Sequence, residues 1–424
     1  MKRIAKPNEL ISKAIAAKEA SLILTNTDTK QKNYALSIAA KNIYKNRKNI
    51  IKINKREIAR AKKNKINSSF IDRMFLDEKR IKDISNGLQE IILLDDPIGS
   101  MEEVKIRPNG MQVGKRRVPI GVIGAIFESR PNVTIEIASL CLKSGNSVIM
   151  RSGSDAHESS KILAEIFIKS MQEAGLPSAA IGFINNTDRK IIEKMLKLSN
   201  YIDLIIPRGG AELINLVKKK SQIPVVAGGI GVCHTYVDKD ADLNIALNIV
   251  ENAKIRRPSV CNTLDTILVH EDIAHLFLKE IQKRFKKNGV TMHVDKKANK
   301  IITADKLVTK IKPGDYAREW LSLDCSIKIV SSINEAIEHI NNIGSGHSEA
   351  IATSSYSAAN QFQNKIDAAS VFVNVSTGFA DGAEYGLGNE FGISTQKLHA
   401  RGPMGLRELT SYKWIISGNG QIRK

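Results

Sequence analysis

Cysteine is scarce in this chain, and the four that occur (Cys141, Cys233, Cys261, Cys325) are scattered, with no C-x-x-C pair. No histidines cluster at metal-ligand spacing beside them. The pattern excludes a disulfide framework and a zinc site; no metal is expected, and the compartment is a reducing one, the cytoplasm. Long apolar runs are missing as well. The longest clear one, Val118 to Phe127, is far too short to span a bilayer. No secretory apolar stretch follows Met1-Lys-Arg, so neither membrane insertion nor export is expected. Aromatic residues make up only 5% of the chain, and none forms a stacking platform among the basic runs. The common nucleotide fingerprints are absent too. There is no P-loop, and Gly121-Val-Ile-Gly124 and Gly228-Gly229-Ile-Gly231 lack the G-x-G-x-x-G spacing. A dinucleotide, if bound, has to be held in another way.

What is present is an ordinary globular composition, 42% hydrophobic and 25% charged, over 424 residues. That is enough chain for two or three domains with proper cores. The formal charge of +20 raises the question of nucleic acid. The excess is mostly lysine, dense in 41–65 and 283–300, and it travels with abundant Asn and Ile. This reads as compositional drift rather than a shaped patch. No nucleic-acid partner is expected, and the charge suits a small polyanionic substrate and cofactor.

Residues 1 to about 95 read as helical, with apolar positions at three- and four-residue spacing from Asn8 onward. Residues 103–117 alternate around Pro108-Asn109-Gly110, a turn signal, and predict a β-hairpin arm that packs on another subunit. From Pro119 short apolar runs (121–127, 147–150, 181–184, 202–206, 223–226) alternate with helical stretches (133–143, 155–174, 188–198, 211–219). Such alternation predicts a parallel sheet covered on both faces. Ligands then bind at the carboxyl ends of the strands, which here carry Glu128-Ser-Arg-Pro-Asn132, Arg151-Ser-Gly-Ser154 and Pro207-Arg-Gly-Gly210. A second series runs from a helix at 243–252 through strands at 266–269, 327–330, 350–353 and 371–374, with helices at 273–285, 333–341 and 358–365. Residues 376–407 are glycine-rich and aperiodic, a pattern more typical of a binding surface than of a tail.

Between these two series lies the one cysteine with a reason to react. A thiol attacks as thiolate, and nearby cations favour that form. Lys254, Arg256 and Arg257 stand just upstream of Cys261, and Pro258 ends the preceding helix. Asn132, at a strand end, can donate a hydrogen bond to a developing oxyanion. Arg151 and Ser154 precede a helix, and Arg208 offers the same anion-binding chemistry on a later strand. An inert core cysteine and surface arginines are the plainer readings of each residue taken singly.

Six motifs occur together and in order: Ser129-Arg-Pro-Asn-Val-Thr134, Cys141-Leu-Lys-Ser-Gly-Asn146, Ile206-Pro-Arg-Gly-Gly210, Arg257-Pro-Ser-Val-Cys-Asn262, Gly344-Ser-Gly-His-Ser-Glu349 and Ile393-Ser-Thr-Gln-Lys-Leu-His-Ala-Arg-Gly-Pro-Met404. From about Pro97 onward the chain thereby resembles the γ-glutamyl phosphate reductase family of the aldehyde dehydrogenase superfamily, with Ile343 standing where His or Tyr is expected. The resemblance implies an α/β, aldehyde-dehydrogenase-like fold: two Rossmann-like domains plus a β-hairpin oligomerisation arm. The expected division is a cofactor-binding domain at 1–102 and 119–256, a catalytic domain at 257–398, and the arm at 103–118 and 399–424.

It further implies NADPH-dependent reduction of L-glutamyl 5-phosphate to L-glutamate 5-semialdehyde and phosphate, the second step of proline biosynthesis, in a cytoplasmic homo-oligomer functionally coupled to glutamate 5-kinase. Cys261 would form a thioester, and Asn132 with the Cys261 N–H would hold the oxyanion. Arg151, Ser154, Pro207, Arg208, Gly209, Gly210 and Glu319 would hold the cofactor. Arg130, Ser376, Thr377 and Arg401 are candidates for the substrate. A hydrolytic NAD(P)-dependent aldehyde dehydrogenase is the alternative. It needs a water-activating base, usually the Glu of a Glu-Leu-Gly-Gly segment, and the similar stretch Val226-Ala-Gly-Gly229 has Ala227 there.

Overall fold

The computed structural model describes residues 9–423; residues 1–8, among them Asn8 and the stretch after Met1, and residue 424 lie outside the described residues. In chain order, five helices come first: α1 (Glu9–Leu24), α2 (Thr29–Lys45), α3 (Arg47–Lys63), α4 (Ser68–Met74) and α5 (Glu78–Leu93). Asp28 and Asp77 cap α2 and α5 by accepting backbone N–H bonds from Gln31 and Arg80. β1 (Met101–Ile106) and β2 (Gln112–Pro119) form the expected hairpin, with Gly110 at a φ of 86° in its turn.

The first alternating series is β3 (Val122–Phe127), α6 (Pro131–Lys143), β4 (Ser147–Ser152), α7 (His157–Glu173), β5 (Ile181–Phe183), α8 (Arg189–Met195), β6 (Leu204–Arg208) and α9 (Ala211–Lys220). The second is β7 (Cys233–Val237), α10 (Leu243–Ile255), β8 (Leu264–His270), α11 (Glu271–Lys287), β9 (Thr291–Val294), β10 (Val308–Lys310), β11 (Asp324–Val330), α12 (Ile333–Ile343), β12 (Ser348–Ala352), α13 (Tyr356–Lys365) and β13 (Ser370–Val373). Two short strands, β14 (Ile393–Ser394) and β15 (Gly402–Pro403), and a long one, β16 (Thr410–Ser417), follow.

The chain divides into two compact units. The first comprises residues 1–227, 386–392 and 404–424; the second, 228–385 and 393–403. The first holds a parallel sheet in the order β5-β4-β3-β6, with 223–226 reduced to a single bridge between Val225 and Ile205. Its core joins Val122, Ile126, Ile149 and Ile205 to Leu10, Ala14 and Ala17 of α1. β3, β4 and β6 end in register, Phe127 opposite both Ser152 and Arg208, so the loops after them share one edge. The second unit holds a seven-stranded parallel sheet, β10-β9-β11-β8-β7-β12-β13, with β8 at its centre.

The arm is larger than a hairpin. β16 pairs antiparallel with β2 along its whole length, completing a three-stranded sheet that leaves Ile106, Tyr412, Trp414 and Ile416 exposed.

The second unit begins at residue 228: β7 pairs with β8 and β12, and α10 follows it into that unit. Likewise 399–403, expected in the arm, belongs to the second unit, where β15 pairs with β14. No described helix is long and apolar enough to cross a membrane.

Candidate active site

Cys261 sits in the turn between the end of α10 and the amino end of β8. It is the one cysteine of the four that is not buried. Burial pushes the thiols of Cys141, Cys233 and Cys325 upward, Cys325 to about 12, so these stay protonated and unreactive. The cations upstream are placed differently from the expectation. Lys254 is buried and donates to the Leu264 carbonyl at 2.9 Å. Arg256 donates to the Gly378 carbonyl at 3.0 Å, and Arg257 is exposed. The Lys254 and Arg256 side chains thus brace the loop.

The loop is held from several sides. Asn262 donates to the carbonyls of Gly378 (3.3 Å) and Ala380 (3.0 Å), and Thr377 donates its hydroxyl to the Asn262 carbonyl at 2.8 Å. Thr263 donates back to Arg257 O at 2.7 Å. On another side Gly231 lies flat against the loop: a Cβ there would stand 1.6 Å from Cys261 O. The Gly231 N–H donates to Glu319 Oε1 at 2.9 Å. Behind it Asp265, buried and pushed up to about 7 by that burial, accepts N–H bonds from Trp320 (3.0 Å) and Cys233 (3.3 Å). His234 and Glu349, both fully buried, are joined at 2.9 Å across β7 and β12. The Gly344–Glu349 motif thus supplies an inner support of this region.

In the first unit the three strand ends present the other candidates together. Ser154, Gly209 and Gly210 are exposed, and Gly210 is the N-cap of α9. Glu128, which the sequence reading did not single out, organises this edge. Its N–H donates to Arg208 O at 3.0 Å, and its carboxylate accepts the Gly210 N–H at 3.2 Å. A Cβ at Gly209 would collide with that carboxylate, at 2.5 Å. Arg151 is only 5% exposed and donates to Thr187 O at 2.5 Å, so its guanidinium is mostly enclosed. Its Nε is buried without a protein partner. Pro207 is buried, and Arg208 packs against Gly392. Asn132 is the second residue of α6 and gives one amide N–H to Glu136 at 2.7 Å. A primary amide carries a second N–H. Arg130 precedes that helix in extended conformation.

The remaining substrate candidates are already engaged. Ser376 caps its turn by accepting from Gly378 N, and the buried Thr377 donates its hydroxyl to the Cys261 loop. Arg401 and Lys397 both pair with Asp367 at 2.6 Å. Ala227 is fully buried and carries no carboxylate.

The aldehyde dehydrogenase family description matches residues 4–306 and 325–415. The chain belongs to the aldehyde dehydrogenase family. It is 48% identical over 417 residues to a γ-glutamyl phosphate reductase of Dehalococcoides mccartyi, covering 98% of both chains. It is also 48% identical to that of Caldanaerobacter subterraneus, covering 98% of this chain and all of that one. The crystal structure of γ-glutamyl phosphate reductase from Thermotoga maritima superposes with a TM-score of 0.95 at 41% identity, over 98% of this chain and 100% of that one. As an aldehyde dehydrogenase family member the chain is an oxidoreductase, and its two parallel α/β sheets follow the fold expected from the motifs. Family members of this kind use a nicotinamide dinucleotide; a glyceraldehyde-3-phosphate dehydrogenase of Methanocaldococcus jannaschii has been solved with NADP, at 18% identity and a TM-score of 0.70.

Proposed function

We propose that this oxidoreductase reduces L-glutamyl 5-phosphate to L-glutamate 5-semialdehyde and phosphate, with NADPH, through a thioester on Cys261. The observation that carries the reading is the end-to-end match, at 48% identity, to proteins named for this reaction. The lone partly exposed thiol supports the route.

Attack by the Cys261 thiolate on the acyl carbon forms a C–S bond; the C–O bond to phosphorus breaks, and phosphate leaves with the electron pair. Reduction of the thioester then releases the aldehyde and returns the thiolate. Both steps place negative charge on the same carbonyl oxygen. The Asn132 amide and the Cys261 N–H are assigned to hold it, a kind of contact worth about 3 kcal/mol where it has been measured. Ala227, where a hydrolytic relative needs a carboxylate, leaves no base at that position to activate water against the thioester.

The dinucleotide is assigned to the carboxyl edge of the first sheet, and the residues there fit it. The buried Arg151 Nε lacks a protein partner. Gly209 and Gly210 are exposed beside the amino end of α9, where anions are favoured, and Glu128 takes the Gly210 N–H there. Ser154 and Arg151 would hold the adenosine ribose and its 2′-phosphate, Pro207, Arg208, Gly209 and Gly210 would contact the cofactor, and Glu319 would contact the nicotinamide ribose. When bound, the nicotinamide supplies a hydride. Arg130, Ser376 and Arg401 are assigned to the glutamyl end, and the exposed apolar residues of the arm to a homo-oligomer contact. The activity is placed in the cytoplasm, functionally coupled to glutamate 5-kinase.

The test runs the reaction backwards. With glutamate semialdehyde and NADP, the wild type should form NADPH only when phosphate is present, and Cys261→Ala should abolish it. Activity that survives in Cys261→Ala, or that ignores phosphate, would sink the mechanism.

A further inference from the structure

We propose that Cys233 is a positioning residue for the reacting cysteine: its thiol, with the bare backbone of Gly231, fixes the peptide carbonyl of Cys261. The inference rests on the reading of Cys261 as nucleophile and goes beyond it. Cys233 Sγ donates to Cys261 O at 3.2 Å. Gly231 closes the other approach to the same oxygen, since a Cβ there would stand 1.6 Å from it and 2.9 Å from Cys261 Cα.

Residues 231 and 233, at the entry to β7, both meet the same carbonyl of the Cys261 loop. The three successive peptides are anchored separately: Gly231 N–H to Glu319 Oε1 (2.9 Å), Val232 N–H to Ser345 Oγ (2.8 Å) and Cys233 N–H to Asp265 Oδ2 (3.3 Å). The segment is therefore a fixed wall. A carbonyl held against it sets the plane on the carboxyl side of Cys261 Cα, and with it the direction in which the nucleophilic side chain projects. A thiol is a weak donor, so its value here lies in direction. Full burial keeps Cys233 protonated, hence a donor and never a competing nucleophile. His347 Nδ1, 3.9 Å from Cys233 Sγ, backs the thiol on its far side.

The experiment compares Cys233→Ser, which keeps a donor, with Cys233→Ala and Cys233→Val, which do not, in the full-length protein. Two readouts are taken: kcat and KM in the phosphate-dependent assay, and the rate of Cys261 alkylation by iodoacetamide. Loss of one directional hydrogen bond should lower kcat about fivefold to tenfold in the Ala and Val variants. KM for the aldehyde should stay within about twofold and the alkylation rate should change, while Ser restores both to near wild type. Should Cys233→Ala fail to fold, the Ser and Val pair decides. Wild-type kcat and alkylation in a donor-free variant would overturn the proposal, as would a Ser variant no better than Val. A wild type inactive on glutamate semialdehyde would instead overturn the functional reading, and the alkylation rates would still judge Cys233.

Discussion

The two parallel sheets use opposite edges, and they use them differently. In the first unit the carboxyl ends of β3, β4 and β6 leave Ser154, Gly209 and Gly210 exposed, with Glu128 and the Gly153 N–H linking the loops. In the second unit the loop at the amino end of β8 is held from several sides, by Gly231, Cys233, Thr377 and the Asn262 amide, mostly through buried groups. An edge that binds a large, solvated ligand has to leave backbone groups reachable. A loop that presents one reacting atom has to remove the freedom of the peptide that carries it. Openness and restraint are thus two solutions within one chain.

Three changes would break or sharpen that contrast. The largest effect is expected from Gly231→Ala, since the added methyl occupies the space of Cys261 O and forces the loop aside. A displacement of the order of 1 Å at a reacting group costs about a hundredfold, so kcat should fall by about that factor. A variant within threefold of wild type would show that the loop is not confined. Next, Ser154→Asp puts a negative charge on the open edge. KM for NADPH should rise about tenfold, corresponding to roughly 1.4 kcal/mol, and the preference over NADH should narrow. An unchanged preference would remove Ser154 from the cofactor assignment.

The smallest effect concerns Asp265, whose carboxyl is pushed up to about 7 by burial. Because its folded pKa lies above the ordinary value of 3.8, the folded state binds the proton more tightly. This group's contribution to stability therefore falls as pH rises from about 4 to about 7, and levels off above that. Asp265→Asn does not titrate. Measured by thermal melting, its Tm relative to wild type should increase from pH 5 to pH 8; a difference that stays constant across that range would show that Asp265 carries no such linkage.

Much of this was legible in the chain. Apolar runs alternating with helical periods predict most of the strands and helices within a few residues, because buried parallel strands and amphipathic helices have distinct patterns. β7 escaped that reading because its run, Cys233-His-Thr-Tyr-Val237, is interrupted by polar residues. Its His234 is buried only because Glu349 meets it from β12. β9 and β10 escaped for the opposite reason: they are short and lie toward the edge of the sheet, where the apolar pattern is weak.

For the reacting thiol, local chemistry alone singles out Cys261, as a cysteine after a proline-broken helix with cations beside it. What those cations do is a tertiary matter: Lys254 and Arg256 turn to backbone carbonyls that no pattern announces. The same holds for the wall behind Cys261. Gly231, Cys233 and Thr377 lie far from it in sequence, and they meet it through a carbonyl oxygen and a missing Cβ. Neither feature leaves a signature in residue type or spacing. The proposed nucleophile is thus marked by a few adjacent residues, whereas the setting of its backbone exists only once two distant segments of the second unit are packed together.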